Sequence, residues 1–235
     1  MNDHPDCELR RLYKKQGVGY QGADPLHAEF LFVGEDANFP KDIVQNAEVF
    51  PKIVEYLKDG AGFWRKYDLH HPLLLLNQKG SGKGFHQKFK EIGFNQSHAG
   101  KVSFLEIYHG PTIGGDRKTK NYIHAKALDQ DPVQMDHIKK LNHIIVEGAA
   151  KYIFVSEQGL IYMWKHRNVF TWLNGKKISD LTKRRPDKRI KFIHQWKDKA
   201  IIYHYNFSAG SRNNKSAVYV DQNIREIGKL CLGSQ

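Results

Sequence analysis

The sequence predicts an α/β protein in three layers, with helices on both faces of a four-stranded, mainly parallel central sheet. Three observations carry this. Short apolar runs rich in aromatic and β-branched residues recur at 28–33, 102–108, 152–156 and 200–204, each bounded by Gly or charged residues. Helix-patterned stretches lie between them. Strands that alternate with helices pair in parallel and are covered on both faces.

In chain order, residues 1–24 are polar and charged and read as an N-terminal arm with a little helix. The run 28–33 (Ala-Glu-Phe-Leu-Phe-Val) reads as a buried strand ended by Gly34. Apolar spacing predicts a helix over 43–57, and 85–92 forms another after a Gly-rich turn. Asp131 as N-cap and Pro132 at the first helical position open a helix over 132–150. Ser156 and Glu157 open the next, over 156–166. A last helix over 221–232 is expected with Asp221 as its cap. Residues 73–76 and 190–196 are candidate edge strands, and 110–120, 174–188 and 207–217 are expected to be irregular.

The 235 residues suffice for one sizeable core, and 40% hydrophobic content is globular rather than disordered. A single domain over 1–235 is expected. No apolar run approaches the ~20 residues that a membrane span needs, and the polar start has no signal-peptide core. Only Cys7 and Cys231 occur, which argues against a disulfide framework, a four-cysteine zinc site and an iron–sulphur cluster. A reducing cytoplasm fits that usage. The net charge is +12, and most of it is local: residues 165–199 hold twelve Lys or Arg against three Asp, a net of +9. Such a concentration is the footprint of a polyanion partner, chiefly nucleic acid, although a solvated lysine-rich face has the same composition.

Ligands in parallel sheets bind outside the carboxyl ends of the strands, so the segments after each strand are the ones to read. After the first come Gly34, Glu35, Asp36, Ala37, Asn38, Phe39 and Pro40. A carboxylate on such a turn can orient a water or stabilise a developing cation. The same residue types are favoured helix caps, and type alone does not separate the two. After the last strand come His204, Tyr205, Asn206, Phe207, Ser208, Ala209, Gly210, Ser211, Arg212, Asn213, Asn214 and Lys215. Small residues there allow close approach to a phosphate backbone, and Ser, Asn, Arg and Lys bind it. A half-buried His in an ordinary surface loop is the plainer alternative.

Together these two segments resemble the paired motifs of the uracil-DNA glycosylase superfamily: a Gly-x-Asp/Asn-Pro or Gly-Glu-x-Pro turn after the first strand, and a His-Pro-Ser type loop after the last. Gly62-Phe63-Trp64 resembles the Phe-Trp that opens a helix in the mismatch-specific branch. The stretch Phe104 to Thr112 resembles that branch's second strand and its Arg-Pro-Thr-like end. The strand at 152–156 leading into Gly159, and the final helix with Asn223, also have counterparts. The chain departs at Ala37, where Pro is usual, and at Tyr205-Asn206, where Pro-Ser is usual.

The resemblance implies a uracil-DNA glycosylase-like fold and a monofunctional enzyme that flips a deaminated or damaged base from DNA and hydrolyses its N-glycosidic bond. Asp36 would position water and stabilise the sugar cation, with Glu35 the alternative carboxylate. His204 would donate to the departing base. Phe50, with Phe39 and Phe63 as rivals, would stack on that base. Asn77 and Asn38 are candidate amides for reading its edge. Asn206, Ser208, Ser211, Arg212 and Lys215 would meet the minor groove, with Lys183, Arg184 and Arg185 on phosphates. Base flipping of this kind needs no metal and no other cofactor. The partner would be duplex or single-stranded DNA, the protein a monomer, and its location the nucleoid in a bacterium or the nucleus elsewhere.

Two other functions remain: a DNA-binding protein of the same fold without catalysis, and an unrelated small α/β hydrolase or nucleotide-binding enzyme. The second would use the Gly-rich stretch 80–84. That stretch departs from a phosphate loop at Asn77, where Gly should open it, and at Gly84, where Ser or Thr should bind magnesium. None of the 13 His forms His-Glu-x-x-His. Trp164, Trp172 and Trp196, around the basic stretch, fit core packing better than base stacking.

Overall fold

A computed structural model of the chain describes residues 3–14, 19–77, 82–113, 129–182, 189–196, 198–208 and 214–233. Its strands are β1 (Tyr20–Gly22), β2 (Phe30–Gly34), β3 (Ala37–Asn38), β4 (Val102–Glu106), β5 (Pro111–Thr112), β6 (Tyr152–Ser156), β7 (Lys191–Trp196) and β8 (Lys199–His204). Its α-helices are α1 (Cys7–Lys14), α2 (Phe50–Lys58), α3 (Gly60–Tyr67), α4 (Lys83–Lys90), α5 (Pro132–Glu147), α6 (Glu157–Lys165), α7 (Ile178–Thr182) and α8 (Asn214–Leu232).

The main sheet has six strands rather than four, in the order β1-β4-β2-β6-β8-β7. Its inner four, β4, β2, β6 and β8, run parallel, while β1 and β7 pair antiparallel at the two edges. The candidate edge strand at 190–196 is therefore β7. The three residues of β1 sit in a stretch too short and Gly-rich to show a period.

Alternation along the strands divides the core. Leu31, Val33, Leu105, Ile153, Val155 and Ile201 pack with α5 and α6 through Ile138, Leu141, Leu160 and Met163. Phe30, Phe32, Phe104, Phe154 and Ile202 pack with α3, α4 and α8 through Trp64, Phe89, Val220 and Ile224. Both faces are thus buried, which is why the inner strands read as unbroken apolar runs.

Caps fix the helices much as their residue types dictate. The side chain of Asp131 accepts from Val133 N (2.9 Å) at the start of α5. Ser156 accepts from Gly159 N (3.4 Å) at the start of α6.

Several expectations need correction: within the stretches expected to be irregular, Pro111–Thr112 is a strand and Ile178–Thr182 a short helix. Residues 73–76 are not a strand: Pro72–Leu75 is a 3-10 turn, begun by a proline with no N–H for a ladder and capped by His71 Nδ1 accepting from Leu73 N (3.1 Å). The helix over 43–57 is broken: a 3-10 turn at Ile43–Gln45 precedes α2, and the Asn46 side chain accepts from Val49 N (2.9 Å) in the gap. The last helix begins at Asn214, and Asp221 lies inside it, paired to Lys88 (3.1 Å) rather than capping. Within the expected N-terminal arm, 7–14 and 20–22 are packed structure. In it α1 buries Leu9, Leu12 and Tyr13 against Phe39, Ile53 and Tyr56, and β1 extends the sheet.

This packing generates a prediction. Leu9 is fully buried, so Leu9→Ala should lower unfolding free energy by about 2–5 kcal/mol in urea melts. A variant as stable as the parent would return 7–14 to the status of a loose arm.

Candidate active site at the carboxyl end of the sheet

The strand β2 lies between β4 and β6, so successive connections leave it toward opposite sides. Open α/β sheets place their binding crevice at such a switch point. Four strands end there together: Gly34 is in register with Glu106, and Ser156 with His204.

Beyond β2 the chain makes a short parallel ladder with the chain beyond β4, Ala37 opposite Pro111 and Asn38 opposite Thr112. Backbone bonds from Ile107 N to Gly34 O (3.1 Å) and from Tyr108 N to Glu35 O (3.0 Å) lock the two exits side by side. That ladder orients Asp36. Its Oδ1 accepts from Asn38 Nδ2 (3.2 Å) and its Oδ2 from the Thr112 hydroxyl, which also bonds Asn38 Oδ1 (3.3 Å). A Cβ at Gly34 would meet the Glu106 carboxyl, so a side chain there would have to displace that group.

On the other side of β2, His204 ends β8 almost wholly buried. Its Nδ1 lies 2.9 Å from the carbonyl of Tyr205. A carbonyl only accepts, so Nδ1 carries the proton and Nε2 of the neutral ring is the acceptor. Burial pushes its pKa down to about 4 against the Tyr205 bond, which raises it. The next residues are pinned: Tyr205 N donates to the buried Asn223 Oδ1 (2.7 Å), and Ser208 N donates to Asn206 Oδ1 (2.9 Å). The Asn206 amide donates to Glu35 Oε1 (3.2 Å) across 171 residues of sequence. The two segments singled out by sequence therefore meet.

The remaining candidates divide. Phe39 and Phe63 are buried in the core around Tyr13 and Tyr56, so neither ring face is open for stacking, whereas Phe50 is half-buried at the start of α2. Asn77 is exposed, which does not suit a reader of an enclosed base edge. Asn38 is committed to Asp36 and Thr112. Ser211, Arg212, Lys183, Arg184 and Arg185 lie outside the described residues, as does the side chain of Lys215, whose backbone is in α8.

The basic run is partly spent on the fold. Lys199 Nζ donates to Val146 O (2.6 Å) and to Gly148 O at the end of α5, Arg189 pairs with Glu226 (3.2 Å), and Arg167 lies over Trp164 (4.5 Å). Lys191 is in register with Tyr203, so the chain entering β7 does so at the carboxyl end of the parallel strands. In the Gly-rich stretch, Lys83 Nζ donates one of its three N–H groups to Leu76 O.

Sequence reading missed Glu106, Thr112 as a partner of Asp36, and Tyr56. The signal for Glu106 was a single carboxylate ending an otherwise uncharged strand. Among the described residues no group of three or more His, Cys, Asp or Glu is arranged to hold a metal. No described helix is long and apolar enough to cross a membrane. The chain matches neither a protein-family model nor a curated protein sequence.

The site's histidine has a measurable consequence shared with others. Burial lowers His204 and His137 to about 4 and His70 to about 3, and pushes His71 and His86 down as well. The unfolded chain takes up these protons near pH 6.5 and the folded chain does not. Stability from the neutral rings is therefore complete above about pH 6.5 and is lost as pH falls toward about 4. Melting temperature should drop steeply between about pH 7 and pH 5, and less steeply in His204→Gln. A flat profile would mean that these rings are solvated.

Proposed function

We propose that the chain is a DNA glycosylase of the uracil-DNA glycosylase superfamily, a three-layer member that removes a deaminated or damaged base from DNA. The observation that carries this is the bond from Asn206 to Glu35, which joins the two motif segments at the switch point of the sheet. Support also comes from the four parallel inner strands and from the buried histidine ending the last of them.

The chemistry follows from the geometry. Cleaving an N-glycosidic bond leaves the sugar cationic while the base departs as an anion. Asp36, oriented by Asn38 and Thr112, presents a carboxylate that can position a water and whose charge stabilises the cation. Its orientation is set before substrate arrives, so no reorganisation is needed as charge develops. Glu35 adds a second negative charge, held in place by the loop after β8. His204 starts neutral with its proton on Nδ1, so it donates to the base only on taking up a second proton, a step favoured by the negative charge growing there. Phe50 is the aromatic left for stacking. DNA is the partner, bound by the protein as a monomer through the loop after His204 and the cations at 176–191.

Three outcomes test this. Oligonucleotides carrying one uracil, hypoxanthine, xanthine or mismatched thymine should yield alkali-labile sites. Asp36→Asn, which keeps shape but loses charge, should lower the rate by roughly 10²–10⁴, and His204→Ala by roughly 10²–10³. Tight DNA binding with no cleavage of any substrate would leave a DNA-binding protein of this fold, and neither binding nor cleavage would leave an unrelated α/β enzyme.

The footprint is tested separately. With about five phosphates met, log K against log salt should slope near −4 to −5. Replacing Lys183, Arg184 and Arg185 by Ala should flatten it, and an unchanged slope would assign the contacts elsewhere.

A further inference from the structure

The helix α1 has two unlike faces. One buries Leu9, Leu12 and Tyr13 in the core. The other carries Cys7, Arg10, Arg11 and Lys14, spaced i, i+3, i+4 and i+7, which sets them along one side of the helix. These four are the described residues that line a recess of about 480 Å³. Arg11 lies 3.9 Å from Glu8, but both side chains are more than half exposed, and such a pair binds weakly. Among the described residues no carboxylate pairs with Arg10 or Lys14, and the Arg10 Nε–H is buried without a hydrogen-bond partner. Buried donors are nearly always paired, so a leftover guanidinium N–H beside a recess marks a place for an acceptor.

The start of the chain fixes α1 beside the candidate site. His4 N donates to Pro111 O (2.9 Å), His4 Nε2 bonds Pro40 O (2.9 Å), and Asp3 bridges to Thr112. Thr112 is the residue whose hydroxyl orients Asp36, and α1 itself packs against β5. The shape of the cationic face selects the kind of anion. A small anion is held by donors that converge on it from a curved backbone. Here the cations form a row along a single helix, which suits a linear polyanion. From Arg10 to Lys14 the helix rises about 6 Å. A DNA strand advances about 3.4 Å along its axis per phosphate, so the row matches two or three phosphates of one strand.

We propose that Arg10, Arg11 and Lys14 of α1 bind consecutive phosphates of DNA lying across the carboxyl end of the sheet. This surface is separate from the loop after His204 and from the cations at 176–191. Phosphate contacts of this kind position the duplex without reading its sequence. The assignment rests on the reading of DNA as partner and does not depend on cleavage.

Fluorescence anisotropy with an unmodified duplex oligonucleotide, titrated at several salt concentrations, compares the parent with the double variant Arg11→Gln, Lys14→Gln. Both side chains are exposed and glutamine is a good helix former, so the fold should survive, and a melting curve checks that it does. Affinity should fall roughly tenfold whatever the sequence, and the slope of log K against log salt should flatten by about 2. Adding Arg10→Gln should flatten it by about 1 more. The pair Lys139→Gln, Lys140→Gln removes the same charge from an exposed part of α5 and should move the slope less. Cys7, exposed in the row, reports contact directly. Duplex DNA should slow its alkylation by iodoacetamide several-fold, with the half-buried Cys231 as internal reference. A parent-like slope in Arg11→Gln, Lys14→Gln, an equal effect from the α5 pair, or Cys7 alkylated as fast with DNA as without would each overturn the assignment and leave the glycosylase reading standing. So would a double variant that loses binding to phosphatidylserine vesicles yet holds DNA as the parent does, which would make the row a membrane contact. If the parent binds DNA but cleaves no lesion, and the slope still flattens, the glycosylase reading fails and the assignment of α1 survives. A parent that binds no DNA overturns both.

Discussion

Everything at the carboxyl end follows from the position of β2. It is bonded on both edges, to β4 and to β6, and buried on both faces. Such a strand can neither slip nor shift face without unpairing the centre of the sheet. Its exit is therefore held as rigidly as its middle, and Glu35 and Asp36 are the first residues out. The parallel bonding of β3 to β5 continues that constraint past the sheet, so Asp36 is oriented by a ladder rather than by a free loop.

The loop after β8 is held by a different force. Phe207 is fully buried, its ring 4.6 Å from His204, 5.2 Å from Phe85 and 6.5 Å from Phe32. This aromatic plug draws the segment down onto the sheet, while Asn223 and Glu35 fix its polar atoms. Apolar burial supplies the holding energy and hydrogen bonds supply the aim. Electrostatics add an asymmetry. Among the described residues, the ionisable side chains of the candidate site, Glu35, Asp36 and His204, are acidic or neutral, whereas the sequence as a whole carries +12, so a polyanion would be drawn to the molecule while these groups favour a developing cation.

The inner strands were legible because burial on both faces leaves uninterrupted apolar runs, and 152–156 matches β6 residue for residue. The helices opened by Asp131 and Ser156 were legible because their caps are local chemistry. What failed depended on partners distant in sequence. Leucines 73–76 have strand composition, but Pro72 and His71 start a turn instead. Asp221 looks like a cap until Lys88 is found beside it. Tyr20–Gly22 is a strand only because β4 offers an edge. Within the site, Asp36, His204 and Asn206 were identifiable from their places after strands. Glu106 was passed over because the closeness of its carboxyl to Gly34 comes from strand pairing and not from the residues beside it in the chain.

The bond from Asn206 to Glu35 also orders events in time. Glu35 leaves the ribosome well before Asn206, which follows it by 171 residues. Until β8 docks beside β6, Glu35 lacks the bond from Asn206. Contacts that join distant parts of a sequence are slow to close. The Asn206–Glu35 bond thus closes in the same step that adds β8 to the parallel core, so a molecule that has acquired the bond has already acquired the fold that supports it.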